Sequence, residues 1–288
     1  MTGVGQPELV HGETAPLSFY IHIPWCRARC GYCDFNTYVT DTGDVAIVDG
    51  YLSALLAEID QAAQLLGPRR LSTIYFGGGT PTLMPTAGFG RLINAIAQRF
   101  ELDPDIEISS EANPETLSLG YLAALRQTGV NRLSLGMQSS DPAVLATLDR
   151  VHTPGRVAEA VRWARQSGFD NLSLDLIYGT PGESMSSWAA TIKQALSLSP
   201  DHLSAYSLIV ESGTPMARRI AKGELLEADE DELADKYLLA EECFAAAGLS
   251  NYEVSNWSRP GMACRHNLVY WRGGDWWGVG AGAHSYLA

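Results

Sequence analysis

Three cysteines near the start of the chain could hold a metal ion or an iron–sulfur cluster. Cys26, Cys30 and Cys33 are spaced C-x3-C-x2-C behind a short apolar run, within the stretch FYIHIPWCRARCGYCDF from Phe19 to Phe35. Three thiolates on one loop are one ligand short of a closed structural site, which has four. The sequence therefore predicts a [4Fe-4S] cluster with one coordination position left for a small-molecule cofactor.

A run of three glycines is the second group of residues with a chemical use. The segment Gly77-Gly78-Gly79-Thr80-Pro81 follows a short apolar run, and glycines let backbone groups approach a ligand because no Cβ intervenes. Such a cradle suits the zwitterionic end of an amino acid as well as a phosphate. Without the cysteines, a tight turn after a strand would be the better interpretation. The segment lacks the residues of a P-loop and of a dinucleotide fingerprint, which argues against both sites.

The composition is that of a globular protein and argues against some classes of partner. The 288 residues are 46% hydrophobic and 18% charged, which suits one large α/β domain or two smaller ones. Acidic residues outnumber basic ones by 33 to 20, so that the net charge is −13. This charge opposes binding to nucleic acid and to anionic lipid surfaces.

The sequence shows no targeting signal and no disulfide pattern. The N-terminal segment has neither a basic region nor a long apolar region, and no later segment approaches about 18 uninterrupted apolar residues. We therefore expect a cytoplasmic protein that does not insert into a membrane. Two further cysteines, Cys243 and Cys264, lie far from the first three. An odd total of five, with three clustered, argues against a set of disulfides and predicts reduced thiols that bind metal.

Short β-rich segments alternate with longer helical segments through most of the chain. Six β-then-α units in series predict a parallel sheet, and the absence of an order reversal favours a partial (βα)6 barrel of α/β class over a doubly wound open sheet. The predicted strands are Ser18 to Ile23, Leu71 to Phe76, Ile106 to Ser110, Arg132 to Met137, Leu172 to Tyr178 and Leu203 to Ile209. The predicted helices between them are Val45 to Leu66, Gly88 to Phe100, Leu119 to Gln127, Val157 to Gln166 and Met185 to Leu198.

This pattern divides the chain into three parts. Residues 1–17 are predicted to be a loose lead-in, residues 18–215 the α/β barrel, and residues 216–288 a C-terminal segment. The last part contains an acidic helix from Ala228 to Ala247 and then a stretch rich in Trp, Gly and His up to Tyr286. Because no closing element precedes Ala288, we expect either a missing C-terminal part or a shortened relative of a longer protein.

The unusual residues fall where the predicted strands end. In an α/β barrel, ligands bind at the carboxyl ends of the strands, where the connecting loops meet. The cysteine loop follows the first strand and the glycine run follows the second, while Glu111, Gln138 and Asp175 lie at or near the ends of the next three. The sequence therefore predicts one site that is formed by residues far apart along the chain.

Together, these features resemble the radical S-adenosylmethionine (SAM) superfamily. More closely, roughly from Ser18 to Tyr286, the chain is similar to the oxygen-independent coproporphyrinogen III oxidase group and, within it, to a branch of heme chaperones. The motifs that carry the likeness are HIPWCRARCGYCDF, YFGGGTPT, SSEANP, LSLGMQS, LDLIYGTPGE and CRHNLVYW. In that superfamily three cysteines bind a [4Fe-4S] cluster, SAM chelates the fourth iron, and one electron cleaves SAM to a 5′-deoxyadenosyl radical.

The resemblance also implies which residues contact SAM. The implied cofactor-binding residues are Tyr20, Gly78, Gly79, Thr80, Glu111, Gln138, Arg150 and Asp175. The glycines and Thr80 would cradle the methionine part, Glu111 would accept hydrogen bonds from cofactor groups, and Arg150 could pair with a carboxylate. The alternatives are that Glu111, Asp175 and Arg150 form ion pairs in the barrel mouth and that Tyr20 belongs to the core.

Two departures separate the chaperone branch from the decarboxylating oxidase. The oxidase has a fourth cysteine two residues after the third, where this chain has Phe35, and it has a longer N-terminal segment. The chaperone branch has an H-N-x-x-Y-W motif, present here from His266 to Trp271, and the resemblance implies His266 as a heme contact. Histidine is a common ligand of heme iron, and nearby aromatic rings could cover a porphyrin face. The alternative is a hydrogen-bonded histidine within an aromatic core.

Three hypotheses follow for the function. The first is a heme-binding chaperone that holds the cluster and SAM, takes electrons from a reductant and delivers heme to acceptor proteins. The second is an enzyme that oxidatively decarboxylates two propionates of a porphyrinogen. The third is a zinc-binding module in which His22 or a carboxylate completes a site with the cysteines. The sequence leaves open the acceptor protein, the cleavage of SAM and the formation of a homodimer.

Overall fold

The structure, a computed structural model, describes residues 16–40, 42–150, 153 and 155–288. Within these residues, nine strands form one sheet and two short strands form a separate pair. The strands are β1 (Leu17–Ile23), β2 (Trp25–Cys26), β3 (Tyr38–Val39), β4 (Arg70–Gly78), β5 (Glu101–Ala112), β6 (Arg132–Gln138), β7 (Asn171–Tyr178), β8 (His202–Ser207), β9 (Ser250–Glu253), β10 (Asn256–Ser258) and β11 (Asp275–Val279). The predicted lead-in at residues 1–17 lies outside the described residues except for its last two.

The central strands follow one another in the sheet as they do in the sequence. Strands β1, β4, β5, β6, β7 and β8 are parallel neighbours in this order. They correspond to the six strands predicted from the sequence, and their order contains no reversal of the kind that defines a doubly wound sheet. The predicted fold, a partial barrel of alternating strands and helices, is therefore confirmed.

Helices connect most of these strands, and most of the helices cover one face of the sheet. In the described part of the chain they are α1 (Val45–Leu66), α2 (Thr86–Ala97), α3 (Leu119–Gln127), α4 (Pro142–Thr147), α5 (Arg156–Gln166), α6 (Met185–Ser197), α7 (Pro215–Ala221), α8 (Glu230–Ala246) and α9 (Arg265–Trp271). The five helices predicted between the strands are α1, α2, α3, α5 and α6, and the acidic helix is α8. No helix among the described residues is both long enough and apolar enough to cross a bilayer.

The two faces of the sheet differ in polarity because side chains alternate along each strand. In β1, Leu17, Phe19 and Ile21 are buried in the apolar core that packs against the helices. Ser18 and Tyr20 lie on the opposite face, inside the partial barrel. The inward-facing side chains of β4 to β8 are likewise mostly polar or charged: Thr73, Tyr75, Glu107, Ser109, Glu111, Arg132, Ser134, Ser173, Asp175, His202 and Ser204.

The C-terminal segment adds strands to both edges of this sheet. Strand β11 is parallel to β1, and the antiparallel strand β10 pairs with β8 and with β9. Helix α9 spans the interior between these edges. His266 Nδ1 lies 2.7 Å from Thr73 Oγ1, and Asn267 donates from Nδ2 to the hydroxyl of Tyr252 at 3.4 Å. The domain boundary at residue 215 remains a prediction, but strands beyond it belong to the sheet of the barrel.

Candidate functional site

A cavity of about 730 Å³ lies inside the partial barrel and opens at the carboxyl ends of the parallel strands. A cavity of this size can enclose a ligand as large as a nucleoside derivative. Every residue predicted from the sequence to bind the cluster, the cofactor or heme lines its wall: Tyr20, Cys26, Cys30, Cys33, Gly78, Gly79, Thr80, Glu111, Gln138, Arg150, Asp175 and His266. The strand ends thus bring these residues to one place, as the parallel arrangement predicted.

The cysteine loop forms one side of the cavity mouth. Cys26 ends β2, which pairs with β3, and the backbone N–H of Cys33 donates to the Cys30 carbonyl at 3.2 Å. Thr80 donates its hydroxyl to Cys26 Sγ at 3.9 Å, and Arg150 donates from Nη1 to Cys30 Sγ at 3.7 Å. Burial raises the pKa of the Cys26 and Cys33 thiols. Iron must therefore displace protons from these sulfurs when it binds.

His22 does not complete a zinc site with the cysteines in this structure. Its Nδ1 lies 3.0 Å from the Tyr20 hydroxyl, and its Nε2 lies 2.9 Å from the Asn36 carbonyl oxygen. Both ring nitrogens are therefore engaged in tying β1 to the end of the cysteine loop. Within the described residues, no group of three His, Cys, Asp or Glu side chains is close enough together to hold a single metal ion such as zinc.

The glycine run lets the end of β4 pack directly against the start of the cysteine loop. A Cβ on Gly79 would lie 2.6 Å from the Trp25 carbonyl oxygen, and a Cβ on Gly78 would lie 2.5 Å from the His22 ring. Gly78 also has φ +109, which side chains disfavour. The tight turn is thus a sufficient reason for these glycines. Gly78 and Gly79 nevertheless line the cavity, so that their backbone can also face a ligand.

Two carboxyl groups lie on neighbouring parts of the cavity wall. Glu111 accepts hydrogen bonds from the Tyr75 hydroxyl at 3.0 Å and from the Gly78 backbone N–H at 3.1 Å. Asp175 accepts from Ser134 Oγ at 2.8 Å. Burial, with a contribution from Asp175, raises the pKa of Glu111 to about 7, and burial also raises the pKa of Asp175. This pair would attract a cationic ligand group, because such a group relieves the repulsion between the carboxylates.

Gln138 and Arg150 occupy the third side of the cavity, at the end of β6. Gln138 has φ +63, a left-handed conformation that is uncommon for a residue with a side chain. Arg150 donates from Nη2 to the Gly136 carbonyl at 3.0 Å, and a Cβ on Gly136 would lie 2.6 Å from that nitrogen. Glycine at position 136 therefore makes room for the guanidinium, which also contacts Cys30.

His266 is buried in the interior, stacked on the ring of Tyr75 with centroids 5.0 Å apart. Its Nδ1 contacts Thr73, and its Nε2 lies 2.8 Å from the Tyr270 hydroxyl. Burial, with a further effect from Arg132, lowers the pKa of His266 to about 3. The ring is therefore neutral at physiological pH. This geometry matches one of the two interpretations of the sequence, in which His266 is a hydrogen-bonded histidine among aromatic rings.

Several inward-facing residues of the site were missed in the sequence. Glu107 accepts from the backbone N–H groups of Arg265 and His266 at 3.0 and 3.1 Å, and so fixes the start of α9. Arg132 is buried and lines the cavity. A polar residue that alternates with core residues in a strand is the signal that could have found them. The segment from Gly179 to Glu183, which follows β7, packs against α8, where the Lys236 ammonium donates to the Glu183 carbonyl at 2.9 Å.

Comparison with known proteins identifies the family. The model of the radical SAM superfamily matches residues 20–195. The heme chaperone HemW of Mycobacterium tuberculosis is 50% identical over 98% of this chain and 72% of its own length. HemW of Bacillus subtilis is 40% identical over 94% of this chain and 71% of its own length. This chain belongs to the HemW family of the radical SAM superfamily.

The fold of this chain is similar to that of a solved enzyme structure from the same superfamily. Coproporphyrinogen III oxidase (HemN) from Escherichia coli, described as a radical SAM enzyme, superposes with a TM-score of 0.83. It is 29% identical, and the match covers 96% of this chain and 66% of the oxidase chain. Phe35 occupies the position at which we expect a cysteine in the oxidase. Its side chain is exposed and lines the cavity mouth.

The residues of the site fit the cluster and the SAM that the radical SAM superfamily implies. Three free thiols, one from each of Cys26, Cys30 and Cys33, line a single cavity. Gly78 and Gly79 line the same cavity, and the carboxyl groups of Glu111 and Asp175 favour the sulfonium or ammonium charge of SAM. The donor set is therefore suited to a cluster with one open position and a zwitterionic cofactor.

Proposed function

We propose that this chain is a cytoplasmic heme chaperone that binds heme and passes it to acceptor proteins. The observation that carries the proposal is its 50% identity, over 98% of the chain, to a protein named heme chaperone HemW. Identity to the oxidase of known structure is 29%. Phe35 occupies the position at which the oxidase is expected to have a cysteine. This difference in the cysteine loop also favours a heme chaperone over an oxidase.

The cluster and SAM belong to this proposal. Cys26, Cys30 and Cys33 would bind three irons of a [4Fe-4S] cluster, and SAM would complete the fourth. When it is reduced by a partner protein, the bound cluster supplies an electron that can cleave SAM. The chain itself orients the cofactor through backbone groups of the glycine edge and through hydrogen bonds to the carboxyl of Glu111. Tyr20 and the buried walls of the barrel would exclude water from the cofactor.

His266 is the residue that would bind the heme iron, through Nε2. The Thr73 hydroxyl donates to Ser18 Oγ at 2.8 Å, so the His266 Nδ1–H must be the donor in its contact with Thr73. The Nε2 atom then carries the lone pair that a metal needs. In this structure Nε2 accepts from the Tyr270 hydroxyl. Tyr270 is 38% exposed. Its hydroxyl must move away from His266 Nε2 before iron can bind there.

Titration with hemin tests this assignment. We expect the Soret band of bound hemin with the wild-type chain and its loss or displacement with His266→Ala. His266→Gln serves as a second variant in case the smaller side chain disturbs the interior. His284→Ala is the control, because His284 is an exposed histidine of the same segment. Spectra of both His266 variants that match the wild type would remove His266 as the ligand.

Tyr270→Phe gives the complementary expectation. The substitution removes the hydroxyl that occupies His266 Nε2 and keeps the aromatic ring. Since a neutral hydrogen bond contributes about 1 kcal/mol, hemin should bind about fivefold more tightly to Tyr270→Phe than to the wild type. Equal or weaker binding to this variant, measured in the same titration, would show that Tyr270 does not compete with iron for His266.

Oxidative decarboxylation of a porphyrinogen is the second candidate, and the likeness to the oxidase fold favours it. The chain superposes on that enzyme along 96% of its length. Anaerobic incubation of the reconstituted protein with coproporphyrinogen III, SAM and dithionite decides the matter. We expect no protoporphyrinogen under conditions in which an authentic oxidase forms it, and its formation would replace the chaperone proposal with an enzymatic one.

A further inference from the structure

A buried arginine whose Nε atom has no hydrogen-bond partner in the described part of the chain lies deep in the cavity. Arg132 is the first residue of β6 and is only 2% exposed, yet its side chain lines the cavity. Among the described residues, its Nε atom has no hydrogen-bond partner, and no carboxylate forms an ion pair with its guanidinium. Burying a charge in this way is costly unless another group compensates it.

Glu107, a carboxyl group that acts on Arg132, is already engaged by other hydrogen-bond donors. Glu107 accepts hydrogen bonds from the backbone of Arg265 and His266, and the Cys264 thiol lies 3.6 Å from its Oε1. Burial disfavours the charge of Arg132, but the pKa of its guanidinium is still raised above its ordinary value, with Glu107 among the groups that favour the charge. The guanidinium therefore stays charged and has donors to offer.

The position of Arg132 separates it from the cofactor end of the cavity. Gly136, which contacts Arg150 beside the cysteine loop, lies four residues further along β6, or roughly 13 Å at the rise of a strand. The histidines nearest to Arg132, His202 and His266, both have lowered pKa values because of burial and of Arg132 itself. Arg132 thus supplies the only positive charge at the inner end of the cavity within the described residues.

We propose that Arg132 binds a carboxylate of the ligand that occupies the inner part of this cavity. A guanidinium and a carboxylate match in shape and can form two parallel hydrogen bonds. The carboxylate can come from a propionate of heme, in which case the inference rests on the proposed function, or from the amino-acid end of SAM. The depth of Arg132 below the cysteine loop favours the propionate.

Comparison of hemin with hemin dimethyl ester tests the proposal, because the ester has the same ring without carboxylate charge. Wild-type protein should bind hemin at least about tenfold more tightly than the ester. Arg132→Gln should lose roughly that factor for hemin and little for the ester, while Arg132→Lys should fall between. Arg91→Gln, at an exposed arginine of α2 outside the cavity, is the matched control. Circular dichroism and thermal unfolding establish that each variant is folded.

Binding of SAM to the reconstituted protein forms the second arm. If Arg132→Gln weakens the binding of SAM but not of hemin, Arg132 binds the carboxylate of the cofactor. If Arg132→Gln weakens hemin and its ester equally, or leaves hemin and SAM binding unchanged, the proposal is overturned. If the wild type binds no hemin at all, the proposed chaperone function fails, and the SAM arm alone then decides whether Arg132 binds a carboxylate.

Discussion

Burial governs the ionisation of Glu111. Its pKa is raised to about 7, mainly by burial and then by Asp175, while the hydrogen bonds from Tyr75 and Gly78 act in the opposite direction. Between the ordinary pKa of about 4.5 and about 7, the folded chain therefore holds a proton that the unfolded chain has lost. The contribution of this group to the free energy of unfolding decreases as the pH rises through that window.

Glu111→Gln should separate stability from cofactor binding. Because the amide carries no charge to bury, the variant should be more stable than the wild type by about 1 to 3 kcal/mol at pH 8 and nearly equal at pH 4.5. SAM binding to the reconstituted protein should weaken roughly 10- to 100-fold at pH 8, because a hydrogen bond to a charged acceptor is lost. Urea unfolding and equilibrium binding measure the two effects.

A control on the surface isolates the cause. Glu227 is exposed, and Glu227→Gln should change neither the free energy of unfolding nor SAM binding by more than about a factor of two. Wild-type affinity for SAM should also rise as the pH increases from 6 to 8, and Glu111→Gln should remove that increase. An unchanged pH profile in Glu111→Gln would contradict the role of this carboxyl.

At the scale of elements, the sequence predicted the barrel but not the strands that extend it. Strand β1 and the strands from β4 to β8 were recognisable because each has apolar residues on its core side and alternates along the chain with helical segments. By contrast, β9, β10 and β11 are short, and their sequences, SNYE, NWS and DWWGV, contain few β-branched residues. Their strand conformation depends on pairing with β8 and β1, which is a tertiary effect.

The sequence predicted the part of the site that lies at the strand ends, but not the packing at its inner end. Residues at strand ends, such as Cys26 and Asp175, could be assigned because parallel strands all place their ends on one side. The contact between Thr73 and His266 joins residues 193 positions apart. No local pattern encodes such a contact, so the packing of α9 against the inner end of the cavity emerged only from the structure.

Helix α8 holds the loop between β7 and α6 through a buried lysine. The ammonium of Lys236 lies 3.8 Å from Glu183 Oε2, both side chains are almost fully buried, and Trp188 donates from Nε1 to the Lys236 carbonyl at 2.9 Å. Burial nevertheless raises the pKa of Glu183 to about 7. The carboxyl is therefore poorly compensated, even with the Lys236 ammonium beside it and a hydrogen bond from the Gly179 N–H at 2.8 Å.

Lys236→Met should destabilise the fold in a pH-dependent manner. Loss of the cation leaves a buried carboxylate, and the free energy of unfolding should fall by about 3 kcal/mol at pH 8. At pH 5.5 the loss should be much smaller, because Glu183 can then be protonated in the folded chain. Adding Glu183→Gln to Lys236→Met should restore much of the loss at pH 8. Lys222→Met, at an exposed lysine, is the control, and an equal loss at both pH values would contradict the mechanism.

At the scale of the whole molecule, the end of the chain supports the loop near its beginning. Asn36, which follows the three cysteines, donates from Nδ2 to the Ala281 carbonyl at 2.9 Å and accepts from His22 through its own carbonyl. The same C-terminal segment is fixed to α1, since the Gly280 N–H donates to Glu58 Oε2 at 2.7 Å. The geometry of the cysteine loop therefore depends on residues about 250 positions away.

Two glycine substitutions distinguish this support from ordinary backbone strain. Gly282 and Gly273 both have positive φ, +79 and +62, so that alanine at either position should lower the free energy of unfolding by about 1 kcal/mol. A Cβ on Gly282 would lie 2.6 Å from Asn36 Nδ2, whereas a Cβ on Gly273 would meet nothing within 4 Å. After anaerobic reconstitution, Gly282→Ala should therefore lose iron to a chelator about fivefold faster than Gly273→Ala, if displacing Asn36 costs the loop about 1 kcal/mol. Iron content and the electron paramagnetic resonance of the reduced cluster measure this difference, and equal loss in the two variants would show that the C-terminal segment does not hold the cysteine loop in place.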